Sequence, residues 1–199
     1  MSVSQPSREV TGVIERVIAD VPAPRTHEVE NPELAASRIV KSAAQRAALL
    51  SGSLALPPGP LGFLTVLPDL FLIWQTQRQM ISDIFAVHGR SAELSRTHML
   101  YCLFRHAASH VLRDVAVRSG QRYIVQQLSS VALTSAASKI GVVVSKRVIG
   151  TATSRWIPLA GAAAVSAYAY WDTLQVGRTA QRLLAKPAMK DITPTAQEA

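Results

Sequence analysis

Apolar positions recur along this chain at intervals of three and four, and strict alternation never persists. The pattern therefore predicts helices throughout, with β-branched residues clustering only at Ile140–Val144. The first 31 residues mix charges with Pro6, Pro22 and Pro24 around one short amphipathic piece, Val10 to Val21, and read as a mobile arm. A main domain then opens at Asn31-Pro32-Glu33: an N-cap, a proline at the first helical position and an acid in the first turn. Leu34, Ala36, Ile39, Val40, Ala43, Ala47 and Leu50 continue it as a helix with an alanine-lined face, ending near Gly52.

The stretch Leu54 to Trp74 is nearly all apolar and long enough to cross a bilayer, yet it holds four prolines and Asp69. About 20 apolar residues read as a membrane helix, but Pro57, Pro58 and Pro60 around Gly59 rule out one continuous helix. A carboxylate at the bilayer centre is expensive, so this hairpin must bend, stay shallow or pack inside protein. Pro58 and Gly59 are assigned to the turn, and Asp69 to capping or holding the bend. A helix should follow from Leu61 or Pro68 to His88 and stop at Gly89. It would set Leu70, Ile73, Trp74, Gln77, Met80, Ile81, Ile84 and Phe85 on one face and Gln75, Arg78, Gln79, Ser82 and Asp83 on the other.

Further helices are predicted from Ser91 to Ser119, from near Gln121 through Leu133, from Ser135 to Gly150, and from Ile157-Pro158 to Leu184. Residues 187–199 read as a disordered polar tail. In the last helix, Ala160, Gly161, Ala163, Ala164 and Ala167 permit close approach of a neighbour, for which the Ala137/Gly141/Ser145 face is the natural mate. The fold class is accordingly all-α: a compact bundle of about six helices over residues 32–186, with a proline-rich apolar hairpin.

Composition sharpens this picture. The chain of 199 residues is 48% apolar with few aromatics and carries a net charge of +8. Residues 1–36 hold three basic against six acidic groups, net −3, and the remainder 18 against seven, net +11. A basic body favours an anionic partner. Arginines dispersed along helices without a recognition motif argue against nucleic acid. One cysteine, Cys102, excludes an internal disulfide, and the N-terminus has no apolar core behind a basic start, so the cytoplasm is the expected compartment.

Basic residues flank both apolar runs: Arg78 follows the first, Lys146, Arg147 and Arg155 precede the second, and Arg178 follows it. Trp74, Trp156 and Trp171 stand at the run ends, where interfacial aromatics lie. Ile157 to Trp171 spans only about 22 Å as a helix, too short to cross. Basic flanks at both ends of a run fit entry and return on one membrane face. Leu61, Phe63, Leu64, Leu70, Phe71, Trp74, Trp156 and Trp171 are the expected contacts with membrane or partner, with Arg78, Lys146, Arg147, Arg155 and Arg178 as a basic rim. The same residues also fit the alternative of a soluble helical interaction or scaffold module in which they form core.

Catalytic signatures are absent: the chain has no GxxxxGK, GxGxxG, GxSxG, HExxH or CxxC and no close carboxylate pair, so neither an enzyme, a cofactor nor a small-molecule substrate is predicted. His98, Cys102, His106, His110 and Asp114 recur every fourth residue. They drift about 40° per step round a helix, so they cannot converge on one ion, and no metal is assigned. A metal-binding sensor using Cys102, His106 and His110 is the remaining alternative.

The proline turn, Pro68-Asp69, Gln75, Gln77, Met80-Ile81 and His88-Gly89, followed by Ile157-Pro158, Gly161, Asp172, Gly177 and Ala180, resemble the EcsC family over about residues 35–185. The chain is also similar to a related domain of some GTPase-associated inner-membrane proteins. The resemblance implies an all-helical, bacterial, membrane-associated protein with no settled activity. It gives Pro158, Gly161 and Asp172 structural roles and places the chain at the cytoplasmic side of the inner membrane or in the cytoplasm. The partner implied is an anionic membrane surface or an integral membrane protein. The acidic arm and the histidine ladder depart from the family pattern.

Overall fold

The computed structural model describes residues 4–54, 62–105, 130–152 and 158–185. Every regular element among them is helical: α1 (Ser4–Ile18), α2 (Pro32–Leu54), α3 (Gly62–Val87), a 3-10 turn at Ser91–Glu93, α4 (residues 96–105), α5 (Ser130–Ala152) and α6 (Pro158–Leu184). The all-α fold expected from periodicity is the fold observed.

Local signals set several boundaries. Asn31 Oδ1 accepts the Leu34 N–H at 3.1 Å, so α2 opens on an asparagine cap with Pro32 next. Gly89 closes α3 with φ +67°, where the Gly89 and Arg90 N–H groups return to the Ala86 and Phe85 carbonyls. A side chain there would be strained and would also meet the Glu28 carboxylate, within 2.6 Å of where a Cβ would stand.

Of the two expected starts of α3, Leu61 is the nearer: the helix begins at Gly62 and passes through Pro68, so Asp69 lies about two turns inside it and not at a capping position. Two other boundaries differ from expectation. Ser91 opens only a 3-10 turn. The cap of α4 is Ser95, whose hydroxyl accepts the His98 N–H at 3.3 Å while His98 Nδ1 receives the Ser95 N–H at 3.2 Å, a reciprocal capping pair. Finally, α5 is continuous from Ser130, so no helix end separates Leu133 from Ser135.

Helix directions follow from cross-contacts. Gln77 of α3 meets Asp172 and Thr173 of α6, and Arg90, just past α3, donates to the Leu184 carbonyl at the end of α6 at 2.9 Å. These two helices therefore run parallel. Val40 of α2 lies against Gly177, and Glu33, at the start of α2, is 3.6 Å from His88 at the end of α3. So α2 runs antiparallel to both and packs on both.

The N-terminal segment is no mobile arm over its described length. Val10, Val13, Ile14, Val17 and Ile18, spaced at helical intervals, are all buried, and α1 packs on α5 and α3. Burial of that apolar stripe outweighs the entropy a free arm would keep. Residues 19–31 then run as an extended strap along α3 in the same direction. Arg78 pairs with Asp20 at 3.1 Å, Ser82 donates to the Pro22 carbonyl at 2.7 Å, and Gln79 to the Ala23 carbonyl at 3.0 Å. The Arg25 N–H reaches Asp83 at 2.7 Å, and the Val29 N–H reaches the Val87 carbonyl at 3.3 Å. A strap has no helix or sheet to satisfy its own peptide groups, so the polar face of α3 does so.

The small face of α5 also packs differently from expectation. Ala136, Ala137 and Ile140 are buried, and the described partner of α5 is α1. The alanines Ala163, Ala164 and Ala167 of α6 are exposed.

Candidate functional site

Two features stand out from the packed core. The first is a polar contact at the crossing of α3 and α6. Gln77, fully buried, donates through Nε2 to Asp172 Oδ2 at 2.7 Å and to Thr173 Oγ1 at 3.1 Å. A buried carboxylate must be hydrogen-bonded to be tolerated, so this contact fixes the register of the two helices. Gln77 and Asp172 come from the two halves of the family-like pattern, and packing makes them neighbours.

The second feature is one end of the bundle. With α3 and α6 parallel and α2 antiparallel, the C-terminus of α2 and the N-termini of α3 and α6 share an end. The described parts of the two apolar runs, from Gly62 on α3 and from Pro158 on α6, are brought together there. From Pro158 to Trp171, α6 contains no Asp, Glu, Lys, Arg or His. Tyr168 and Trp171 are each half-exposed with ring centroids 6.2 Å apart, and Tyr170 is exposed on another side of the helix. From Asp172 onward α6 returns to a buried face through Thr173, Val176, Gly177 and Ala180.

The expected contact residues divide. Trp171 is half-exposed, as a contact requires. Trp74 is not available: it is buried in the core, edge-on to Phe104 with ring centroids 5.1 Å apart. Leu70 and Phe71 are half-buried and pack on the same core. Phe63 and Leu64 lie on the first turn of α3, with side chains outside the described set, while Leu61 and Trp156 fall outside the described residues, as do Pro58 and Gly59. Pro158 opens α6 as expected, and Gly161 sits in its first turn.

The basic rim divides too. Arg178 is exposed on α6. Arg78 is not a rim residue: it is 6% exposed and holds the strap through Asp20. Lys146 and Arg147 lie on α5 with side chains outside the described set, and Arg155 lies outside the described residues. Sequence reasoning placed Arg78 in solvent because its partner is a distant extended segment that leaves no periodic signal beside it.

The histidine–cysteine ladder is only partly described. His98 serves the cap of α4, and burial lowers its pKa from the ordinary histidine value, favouring the neutral ring. His106, His110 and Asp114 lie outside the described residues. Among the described residues no group of three His, Cys, Asp or Glu is placed to hold a metal. Cys102 is fully buried in the core, and burial pushes its thiol well above the ordinary range. Since the thiolate is the reactive form, Cys102 is expected to react with a water-soluble disulfide reagent at least about a hundredfold more slowly in the native protein than in denaturant. A labelling time course checks this, and equally fast labelling of folded protein would mean that α4 opens readily.

No protein-family model matches this chain, and neither a curated protein nor a solved structure matches it.

Proposed function

We propose that this chain is a non-enzymatic, membrane-associated helical protein of the EcsC type. In this reading it engages the cytoplasmic face of a bacterial membrane, or an integral protein within it, through an apolar bundle end and nearby basic residues. The single observation that supports this most is the parallel alignment of α3 and α6, which sets the described parts of both apolar runs at one end. No helix among the described residues is long and apolar enough to cross a membrane, so the association proposed is peripheral or monotopic. Exposed aromatics beside that end and exposed Arg178 beyond it match the order found at a membrane interface.

A second reading, a soluble helical interaction or scaffold module, is favoured by the structural roles of Trp74, an expected contact, and Arg78, an expected rim residue, both of which the fold consumes internally. Fractionation of the native protein separates the two. Under the membrane reading it is expected in the membrane pellet, released by high salt if held by charge, and retained through both salt and carbonate washes if its end is inserted. Recovery entirely in the supernatant before any wash would overturn that reading and favour the module.

A further inference from the structure

One contact fixes which residues α2 and α6 present together. Val40 of α2 faces Gly177 of α6, and the two helices are antiparallel. Each residue step turns a helix by about 100°, and in an antiparallel pair a forward step from the contact turns both side chains to the same side. Lys41 and Arg178, one step past Val40 and Gly177, therefore share a side. Arg38 and Arg182, at about 160° and 140° from the contact direction, stand on the outer part of that side. Asp172 and Thr173, which meet Gln77 of α3, lie about 140° and 40° the other way. The four cations thus occupy the face of the α2–α6 pair opposite α3, and all four are exposed. Along the bundle axis they fall within about 9 Å.

No ion pair neutralises these four among the described residues. The acids of α2 and α6 are Glu33 and buried Asp172. Glu33 stands about 10 Å along α2 from Val40, 3.6 Å from His88 of α3. The other exposed acids lie elsewhere: Asp20 pairs with Arg78, Glu93 with Arg90, Glu28 lies against Gly89, and Glu9 and Glu15 are on α1. Glu30 follows Val29, whose N–H bonds to the Val87 carbonyl of α3. Asp69 belongs to α3, and Arg155, outside the described residues, takes no part in this face. Two hydrophobic side chains bracket the cations. Leu34, six residues before Val40, and Trp171, six before Gly177, each turn about 120° to this same side and stand about 9 Å from the contact in opposite directions. Each is 50% exposed. Single-stranded nucleic acid is held by several aromatics that stack successive bases, and this face offers one. A row of cations between a tryptophan and a leucine has the composition of a lipid-binding surface.

We infer that the outer face of the α2–α6 pair lies flat on anionic lipid headgroups, with Arg38, Lys41, Arg178 and Arg182 against the phosphates and Leu34 and Trp171 at the acyl boundary. This rests on the membrane-associated reading and adds the face presented and the lipid charge it requires. Arg46, about 120° from the contact direction on the α3 side of α2, is outside it.

The test uses the full chain with phosphatidylcholine–phosphatidylglycerol vesicles free of other protein. Arg38→Gln/Lys41→Gln/Arg178→Gln/Arg182→Gln is expected to bind roughly a hundredfold or more weakly. A variant that loses the same charge elsewhere, Arg8→Gln/Arg16→Gln/Arg25→Gln/Arg46→Gln, should lose severalfold at most, with both thermal midpoints close to the parent because all eight side chains are exposed. Binding should vanish on vesicles of phosphatidylcholine alone and weaken steeply with salt. An environment-sensitive fluorophore at Leu34→Cys or Trp171→Cys is expected to shift to an apolar environment, while one at Arg16→Cys or Val131→Cys stays aqueous; buried Cys102 leaves the folded parent unlabelled. Equal losses in the two charge variants, or equal shifts at all four probes, would overturn the face while membrane association stands. Binding to native membranes but not to protein-free vesicles would identify an integral partner and overturn the lipid contact alone. Binding to neither overturns both.

Discussion

Ile14→Ala is expected to destabilise the whole protein by about 2–5 kcal/mol, although the residue lies in a stretch that reads as a free arm. Its side chain is fully buried, with Val13, Val17 and Ile18 beside it, where α1 packs on α5 and α3. Removing the side chain opens a cavity at this junction, and the cost is the lost transfer free energy plus the cavity left behind. For a domain whose total stability is of order 5–15 kcal/mol, such a loss is large. Deleting residues 1–18 should go further, because it uncovers the face of α5 that α1 covers and removes the lead into the strap. Urea unfolding followed by circular dichroism measures both. Unchanged midpoints would mean that α1 does not dock, whereas a surface control such as Arg8→Ala should stay within about 0.5 kcal/mol.

Gly177→Ala should reverse the sign that helix propensity predicts. In an exposed helix, glycine to alanine stabilises by about 0.8–1 kcal/mol. Gly177 is buried where α6 crosses α2, and an added Cβ would stand 2.5 Å from Val40 Cγ2 and 2.7 Å from Cγ1. Real carbons do not approach so closely, and Val40, β-branched and buried, has little freedom to rotate away. The helices must separate, so a net loss of about 1–3 kcal/mol is expected. Val40→Ala removes the colliding methyls, and the double variant Val40→Ala/Gly177→Ala should recover part of the loss, with a coupling of about 0.5–3 kcal/mol. Additive single effects in the four-protein urea cycle would show that the crossing is looser than these distances require.

Legibility differed by the range of the interaction that set each feature. Asn31-Pro32 opening α2, Gly89 ending α3 and Pro158 opening α6 were all readable, because each acts on peptide groups within a few residues. Val10 to Ile18 was readable as amphipathic, but nothing nearby says whether such a stripe docks. Its partner α5 lies more than a hundred residues away. Arg78, Gln79, Ser82 and Asp83 look like a solvent face because polarity alone does not separate water from a strap's carbonyls as the partner. Trp74 had the address of an interfacial aromatic and became core because α4 brings Phe104 against it.

The candidate site shows the same division. Each apolar run and each cationic flank stands in the sequence as a local excess of one residue type. That the runs share one end depends on the sense and register of three helices. Register is set by contacts such as Gln77 on Asp172 and Gly177 on Val40, between residues about a hundred or more apart. The sequence by itself determined that the chain is helical, where several helices begin and end, and which segments are apolar, since periodicity, caps and composition are short-range properties. Only the tertiary structure decided that the N-terminal helix belongs to the core and that the N-termini of α3 and α6 share one end, because long-range packing chooses among faces that local chemistry leaves equivalent.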